Sequence, residues 1–443
     1  MTEEDAGPPR GPVISGGRSV IVLAASAFAA VSVIIVMVVA ARVLSVEDNA
    51  KFLVFWSLMY GVFQVMGGLQ NEATRAVGAR LQADRVAAES AGAMSTVGRE
   101  GARVILMPVI LGAVAAALVF GSSPLWGFPA RTGATVVVAV VGTLSIIAYG
   151  CHLTVVGALA GRKDWVTMSG LSAADPAVRL GAVVIVGLIV GRLSSLELAV
   201  TASGVTWLVL ALIWRPLGRA VGSRTDVGLA PLLRNGALTM VAAAAGAVLL
   251  NGLPLVTQFA LADRLTAAGL ASLLLAIQLT RAPLMMPLNA FQGVAISAFM
   301  AQRRPRLGAL VKPMLGVTAL GVVIAGAMMA LGPWVMRLLY GAQYVVSRPV
   351  LGGLTFAAVS IALLTLSGTA AIAISAHRGY LAGWWVGALA TVAGLFWLPV
   401  PPEWRVVVAV LGGPLLGVAV HAVAIHRAAG RWEPDAAPAP ARA

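Results

Sequence analysis

Apolar residues run along this chain in long blocks, and polar residues fall in short clusters between them. A helix needs about 20 residues to cross the hydrocarbon of a bilayer. By that measure the blocks predict twelve spans. Six fall in the first half, at roughly 19–41, 52–70, 103–121, 134–160, 166–191 and 195–214. Six fall in the second, at roughly 236–261, 269–300, 314–336, 350–375, 379–400 and 405–426. The pattern predicts an all-α polytopic membrane protein. The first block is too long for the apolar core of a signal peptide, about 7–15 residues, so it is expected to be a retained helix. Residues 1–18 and 427–443 are rich in Pro, Gly and Ala and are expected to be disordered tails.

Composition agrees: 59% of the 443 residues are hydrophobic and 11% charged, against roughly 25% charged in a soluble domain. The net charge of +14 resembles a nucleic-acid signal until its placement is read. The basic residues concentrate on alternate loops, at Arg75, Arg80 and Arg85, then Arg162 and Lys163, then Arg215, Arg219, Arg224 and Arg234, then Arg303, Arg304 and Arg306. That alternation is the positive-inside pattern, and it places both termini in the cytoplasm. It removes the need for a nucleic-acid partner.

Segment 215–235 carries four arginines and few large apolar residues, and it reads as a cytoplasmic linker between an N-lobe (19–214) and a C-lobe (236–426). The halves resemble each other faintly. Arg42-Val-Leu-Ser45 precedes the second span and Asp263-Arg-Leu-Thr266 the eighth. Six spans per half predict a parallel repeat, with a central cavity where two six-helix lobes face each other.

The most informative block is Gly269 to Met300. It contains one charge, Arg281, two prolines, Pro283 and Pro287, and the polar residues Gln278, Asn289 and Gln292. At about 100° per residue, Gln278, Arg281 and Gln292 share a side. A charge at that depth is costly against lipid and is expected to face protein or a wet cavity. Arg281 has no acid near it in sequence, and a planar guanidinium binds phosphate bidentately.

Other spans carry polar residues too. Glu72 and Arg75, three apart, can pair at the end of the second span; they read equally as an interfacial helix end and as the cytoplasmic mouth of a cavity. Asp175 and Arg179, four apart in the fifth span, form either a packing ion pair or a pair that a ligand or proton can open. Asn251 lies where Gly252 and Pro254 allow a local break. Glu72 and Asp175 are the acids expected to couple protons or a cation. The chain has no GxxxxGK[ST] loop, no HExxH, and one cysteine, Cys151. No enzyme, cofactor or metal site is predicted, and the four histidines are expected to be structural.

Three stretches together resemble the polysaccharide-exporter (Wzx-like) branch of the multidrug/oligosaccharidyl-lipid/polysaccharide exporter superfamily. They are Ala41-Arg-Val-Leu-Ser-Val-Glu-Asp-Asn-Ala50, Thr280-Arg281-Ala-Pro283 within 250–301, and Val335-Met-Arg-Leu-Leu-Tyr-Gly341-Ala-Gln-Tyr344. The resemblance implies a two-lobed flippase of the cell membrane that moves a polyprenyl-(pyro)phosphate-linked saccharide by alternating access. It implies membrane lipids and polymerase or glycosyltransferase proteins of the same pathway as partners. By the same likeness, Arg75, Arg179 and Arg281 would form a cationic cavity. On the residue pattern itself, Gln278 and Gln292 line it beside Arg281, and Asn251 either bonds a neighbouring helix or joins them. The rival expectations are a small-molecule antiporter and a non-transporting scaffold for envelope assembly.

Overall fold

The computed structural model describes residues 16–89, 101–123, 133–281, 308–374 and 376–429. Among the described residues the chain is helical and contains no named strand. A bilayer leaves backbone groups no water to bond, so apolar segments satisfy them within helices.

The helices follow the predicted spans. The first five are α1 (Gly16–Val43), α2 (Val46–Glu89), α3 (Leu106–Gly121), α4 (Gly133–Gly161) and α5 (Trp165–Ile189). The sixth span is split into α6 (Leu193–Thr201) and α7 (Thr206–Ile213) by a short 3-10 turn. The linker holds α8 (Arg215–Val221). The seventh span is broken into α9 (Leu229–Leu250) and α10 (Leu253–Leu261). The eighth begins as α11 (Ala267–Arg281); Pro283, Pro287, Asn289 and Gln292 lie outside the described residues. The last four are α12 (Gly308–Leu339), α13 (Arg348–Ala373), α14 (His377–Trp397) and α15 (Pro402–Ala429). Among the described residues, eight helices are long and apolar enough to cross a membrane unaided. Of the other predicted spans, α1 is 28 residues long and α3 is 16, the sixth is broken into α6 and α7, and the eighth is described only as far as Arg281.

Two features go beyond the sequence expectation. The second helix runs 44 residues, about 66 Å at 1.5 Å per residue, twice the hydrocarbon thickness. Its last turns stand in the cytoplasm, where the Arg80–Asp84 pair (2.9 Å) supports the helix one turn apart. Segment 215–235 is also built rather than loose. Ala102 and Val104 donate to Val227 and Ser223 (3.0 Å each), and Thr225 donates back to Ala102 (3.0 Å), so the linker pairs with the chain just before α3.

Within the first half, α1 packs on α5, and α4 lies against α2 and α3. In the second half, α13 packs on α12 and α15, and α15 on α14. The halves meet chiefly where α9 lies along α2 and, more briefly, α3. This crossing is close. A Cβ on Gly68 would sit inside the backbone of Thr239 and Met240, so glycine lets the two helices approach to backbone contact.

Candidate functional site

The second helix organises the polar interior by its two faces. Ser57, Gln64, Gly68 and Glu72 recur at seven, four and four residues, one stripe of a 3.6-residue helix. This stripe faces the broken α9–α10 helix. Ser57 Oγ donates to the Asn251 carbonyl (2.5 Å) and accepts from Leu255 N–H (3.1 Å). Asn251 Nδ2 donates to Gln64 Oε1. At the cytoplasmic end, Asn235 Nδ2 donates to Glu72 Oε1 (3.2 Å). The polar residues of the break at Asn251 thus tie the two halves together along one seam.

The other face of α2 lines a cavity of about 400 Å³ within the first half. It is bounded by α1 (Ala29, Ala30, Val33), α2 (Tyr60, Gln70), α4 (Tyr149, His152) and α5 (Ser172, Asp175, Arg179). Asp164 starts α5 by capping Thr167 N–H (3.2 Å), and Pro176 removes one backbone donor midway along it. Four residues apart on this helix, Arg179 Nη1 donates to Asp175 Oδ2 at 3.1 Å. The Arg179 guanidinium also lies 5.8 Å from the Trp56 ring and 5.1 Å from the Tyr60 ring. Phe63 and Tyr149 stack at 4.0 Å, and Tyr149 and His152 at 5.3 Å, which fixes the cavity wall.

The pair is buried, Asp175 at 6% and Arg179 at 3% exposure. Three of the wall's polar atoms, Asp175 Oδ1, Arg179 Nε and His152 Nδ1, have no hydrogen-bond partner among the described residues. Each buried orphan costs about 1–3 kcal/mol, which water or a ligand in the cavity would recover.

The sequence candidates therefore separate into three places. Asp175 and Arg179 share the cavity with His152, Gln70 and Tyr60. Arg281 is buried elsewhere, and its Nη1 donates to the Leu250 carbonyl (3.0 Å) at the C-terminal end of α9. That end carries the negative pole of the helix, which explains how the charge is held with no acid beside it. Asn251 is the next residue to this contact, and Gln278 lies one turn earlier on α11, half-buried. Arg75 is neutralised at the cytoplasmic end. It pairs with Glu72 (2.6 and 2.8 Å) and with Asp226 of the linker (2.9 Å). The cavity lining contains Arg179 but neither Arg75 nor Arg281, so the three arginines do not converge on one cavity in this structure.

Sequence reading missed several members. His152 was grouped with structural histidines, yet it lines the cavity. Gln64 was overlooked, although a lone amide in an apolar span is itself a signal. Glu197 lies within the sixth predicted span and is buried at 4% exposure; it belongs beside Glu72 and Asp175 in any account of intramembrane acids. Asp226 carried no signal, because its partner is 151 residues away.

This architecture, a broken-helix seam between two helical halves with a polar cavity in the membrane, has the fold of the multidrug/oligosaccharidyl-lipid/polysaccharide exporter superfamily of membrane transporters. The inward-closed structure of the lipid II flippase MurJ superposes with a TM-score of 0.65 at 12% identity, covering 92% of this chain and 87% of that one. The inward-facing structure of a multidrug resistance MATE family transporter gives 0.63 at 14% identity, covering 90% and 94%. No family model matches the sequence. The chain belongs to the family that includes the Mycobacterium tuberculosis protein titled "Uncharacterized protein Rv1510", 36% identical over 424 residues, 95% of this chain and 94% of that protein. The Mycobacterium bovis protein titled "Uncharacterized protein Mb3654" is 35% identical over 94% of each chain. The present chain is a multi-pass protein of the cell membrane.

Proposed function

We propose that this protein is a flippase. It moves a polyprenyl-(pyro)phosphate-linked saccharide from the cytoplasmic to the outer leaflet by alternating access, for cell-envelope polysaccharide or glycolipid assembly. The observation that carries the reading is the buried Asp175–Arg179 pair at the wall of an intramembrane cavity, where three buried polar atoms have no hydrogen-bond partner among the described residues. An intramembrane ionisable pair with unmet hydrogen-bonding capacity points to a functional site. A shared fold with a lipid II flippase supports the same reading.

In this mechanism the saccharide headgroup enters from the cytoplasm while the lipid tail stays in the bilayer. Hydroxyls of the headgroup donate to Asp175 Oδ1. A phosphate competes for Arg179, whose planar fork takes it bidentately once Asp175 lets go. Arg281, with Nη2 buried and lacking a partner among the described residues, offers the second cationic contact as the seam opens, with Asn251 and Gln278 on the same path. Arg75 and Glu72 form the cytoplasmic mouth, their pair opening as the headgroup passes. Protonation of Asp175 or Glu72, or the membrane potential acting on the charged headgroup, supplies the drive.

A second reading is a small-molecule antiporter. It is favoured by the cavity's size, which falls in the range of about 300–1,000 Å³ typical of small-ligand sites, and by its lining, which comes from one half of the molecule.

The test is depletion of the protein, with lipid-linked saccharides extracted and sorted by leaflet using a membrane-impermeant probe. Wild type, Arg179→Ala and Arg281→Ala proteins are supplied in turn. Cytoplasmic accumulation that wild type corrects and the variants do not, at equal membrane levels, is the expected result. No change in leaflet distribution overturns the lipid substrate and leaves the antiporter. Full rescue by both variants removes the site assignment and favours a scaffold.

A further inference from the structure

Two of the sequence stretches that marked the superfamily resemblance find no use in the cavity. One ends α1, at Ala41-Arg42-Val43. The other ends α12 and continues to Tyr344. They are 297 residues apart between Arg42 and Leu339, and the fold brings them into contact.

The contact is specific. Arg42 Nε donates to the Leu339 carbonyl at 2.9 Å. Its Nη2 donates to the Leu338 carbonyl and, at 3.4 Å, to that of Arg337. These three carbonyls belong to the last turn of α12, which carries the negative pole of the helix dipole; that of Arg337 also accepts from Gly341 N–H at 3.1 Å. One guanidinium from the first half thus caps a helix of the second half. Beside it, Tyr344 is fully buried and its hydroxyl donates to the Ala41 carbonyl at 3.5 Å. Gly341 turns the chain between them with φ +117°, a backbone conformation that favours glycine. Val345 N–H then donates to Ser272 Oγ of α11 at 3.2 Å. Three helices from both halves, α1, α11 and α12, are closed over one point.

The positive-inside assignment puts this point on the outer face, opposite the Arg75–Asp226 contact. We propose that Arg42 is the latch of the outer gate: its hold on the C-terminus of α12 keeps the two halves together on that side, and outward opening requires its release. Three features suit a latch. The bonds are charge-assisted and therefore specific. Arg42 is solvent-exposed, so water can replace the carbonyls when it lets go. The partners are main-chain oxygens at a helix end, held in place by the rest of α12.

The proposal does not depend on the cargo, so its test needs none. With Cys151→Ala as background, Ser272→Cys places a thiol beneath the gate, where Ser272 is 2% exposed. Cells are treated with a membrane-impermeant maleimide from outside, and the labelling rate is read. With Arg42 present, labelling is slow. With Arg42→Ala it rises about tenfold, the factor that corresponds to loss of one net charge-assisted hydrogen bond. Arg42→Lys, which lacks the fork needed to reach three carbonyls, falls between. In a second arm, Arg42→Cys with Leu339→Cys is bridged oxidatively through a reducible bis-methanethiosulfonate linker, and labelling of Ser272→Cys is read by peptide mapping, apart from the two gate thiols; the oxidised, bridged protein labels there as slowly as the parent, and reduction raises that rate. Equal rates for Arg42 and Arg42→Ala at equal membrane level overturn the proposal. So do equal rates for the oxidised and reduced pair, which decides the matter if Arg42→Ala does not reach the membrane. A failed flippase assay with a positive gate result would reject the lipid substrate and leave the latch standing.

Discussion

Removing one partner of the Asp175–Arg179 pair is predicted to cost far more than removing both. The two charges lie 3.1 Å apart, which at an effective dielectric of 20 corresponds to about 5 kcal/mol of attraction. The approach of Arg179 to Trp56 and Tyr60 adds about 1–2 kcal/mol. Much of this offsets the desolvation of two charges. Asp175→Asn strands a buried guanidinium, and Arg179→Gln strands a buried carboxylate, each a loss of about 3–5 kcal/mol. The protein carries its own reporter, since its single cysteine, Cys151, is buried at 4% exposure. A thiol-reactive dye therefore reads unfolding in a melting curve. At about 2 °C per kcal/mol for a large domain, each single variant lowers Tm by about 6–10 °C. The Asp175→Asn/Arg179→Gln double variant holds two neutral hydrogen-bonding groups in place of the pair and recovers at least half of that loss. It stays inactive in the leaflet assay, because no phosphate fork remains in the cavity. If the double variant loses the sum of the two single effects, the charges are not coupled and the cavity has been misread.

Three further outcomes follow from the seam between the halves. Gly68→Leu drives a branched side chain into the Thr239–Met240 backbone and lowers Tm and membrane level, by at least about 1–3 kcal/mol of overpacking; Gly61→Ala, with nothing within 4 Å of its Cβ, leaves both unchanged. Asn251→Ala and Gln64→Ala each cost about 1–2 kcal/mol, and the double variant costs no more than the larger single one, read as a double-mutant cycle in the same melts. At the cytoplasmic end, Asp226→Asn shifts Tm by less than about 2 °C, because Arg75 is 46% exposed and Asp226 25% and such pairs contribute at most about 1 kcal/mol. Glu72→Gln has the larger effect, since that carboxylate is 4% exposed and holds both Arg75 and Asn235.

Hydropathy alone determined where this chain crosses the membrane, because apolar segments have only one way to satisfy their backbone in a bilayer, and that is helix by helix. Short-range pairs were legible for the same reason: Glu72 with Arg75 and Asp175 with Arg179 stand one turn apart, and a helix brings such neighbours together whatever surrounds it. The break at Asn251 was legible from Gly252 and Pro254. Which polar residues meet across the fold was not. Arg281 looked free because its partner is a main-chain carbonyl, a group every residue has and no sequence marks. Arg75 looked available to a substrate because Asp226 sits in a loop that reads as linker. Arg42 and the end of α12 resembled family stretches with no visible task. Tertiary packing decided these, because a charge in a low-dielectric interior takes whichever partner the fold places within about 3 Å, and sequence distance has no bearing on that choice.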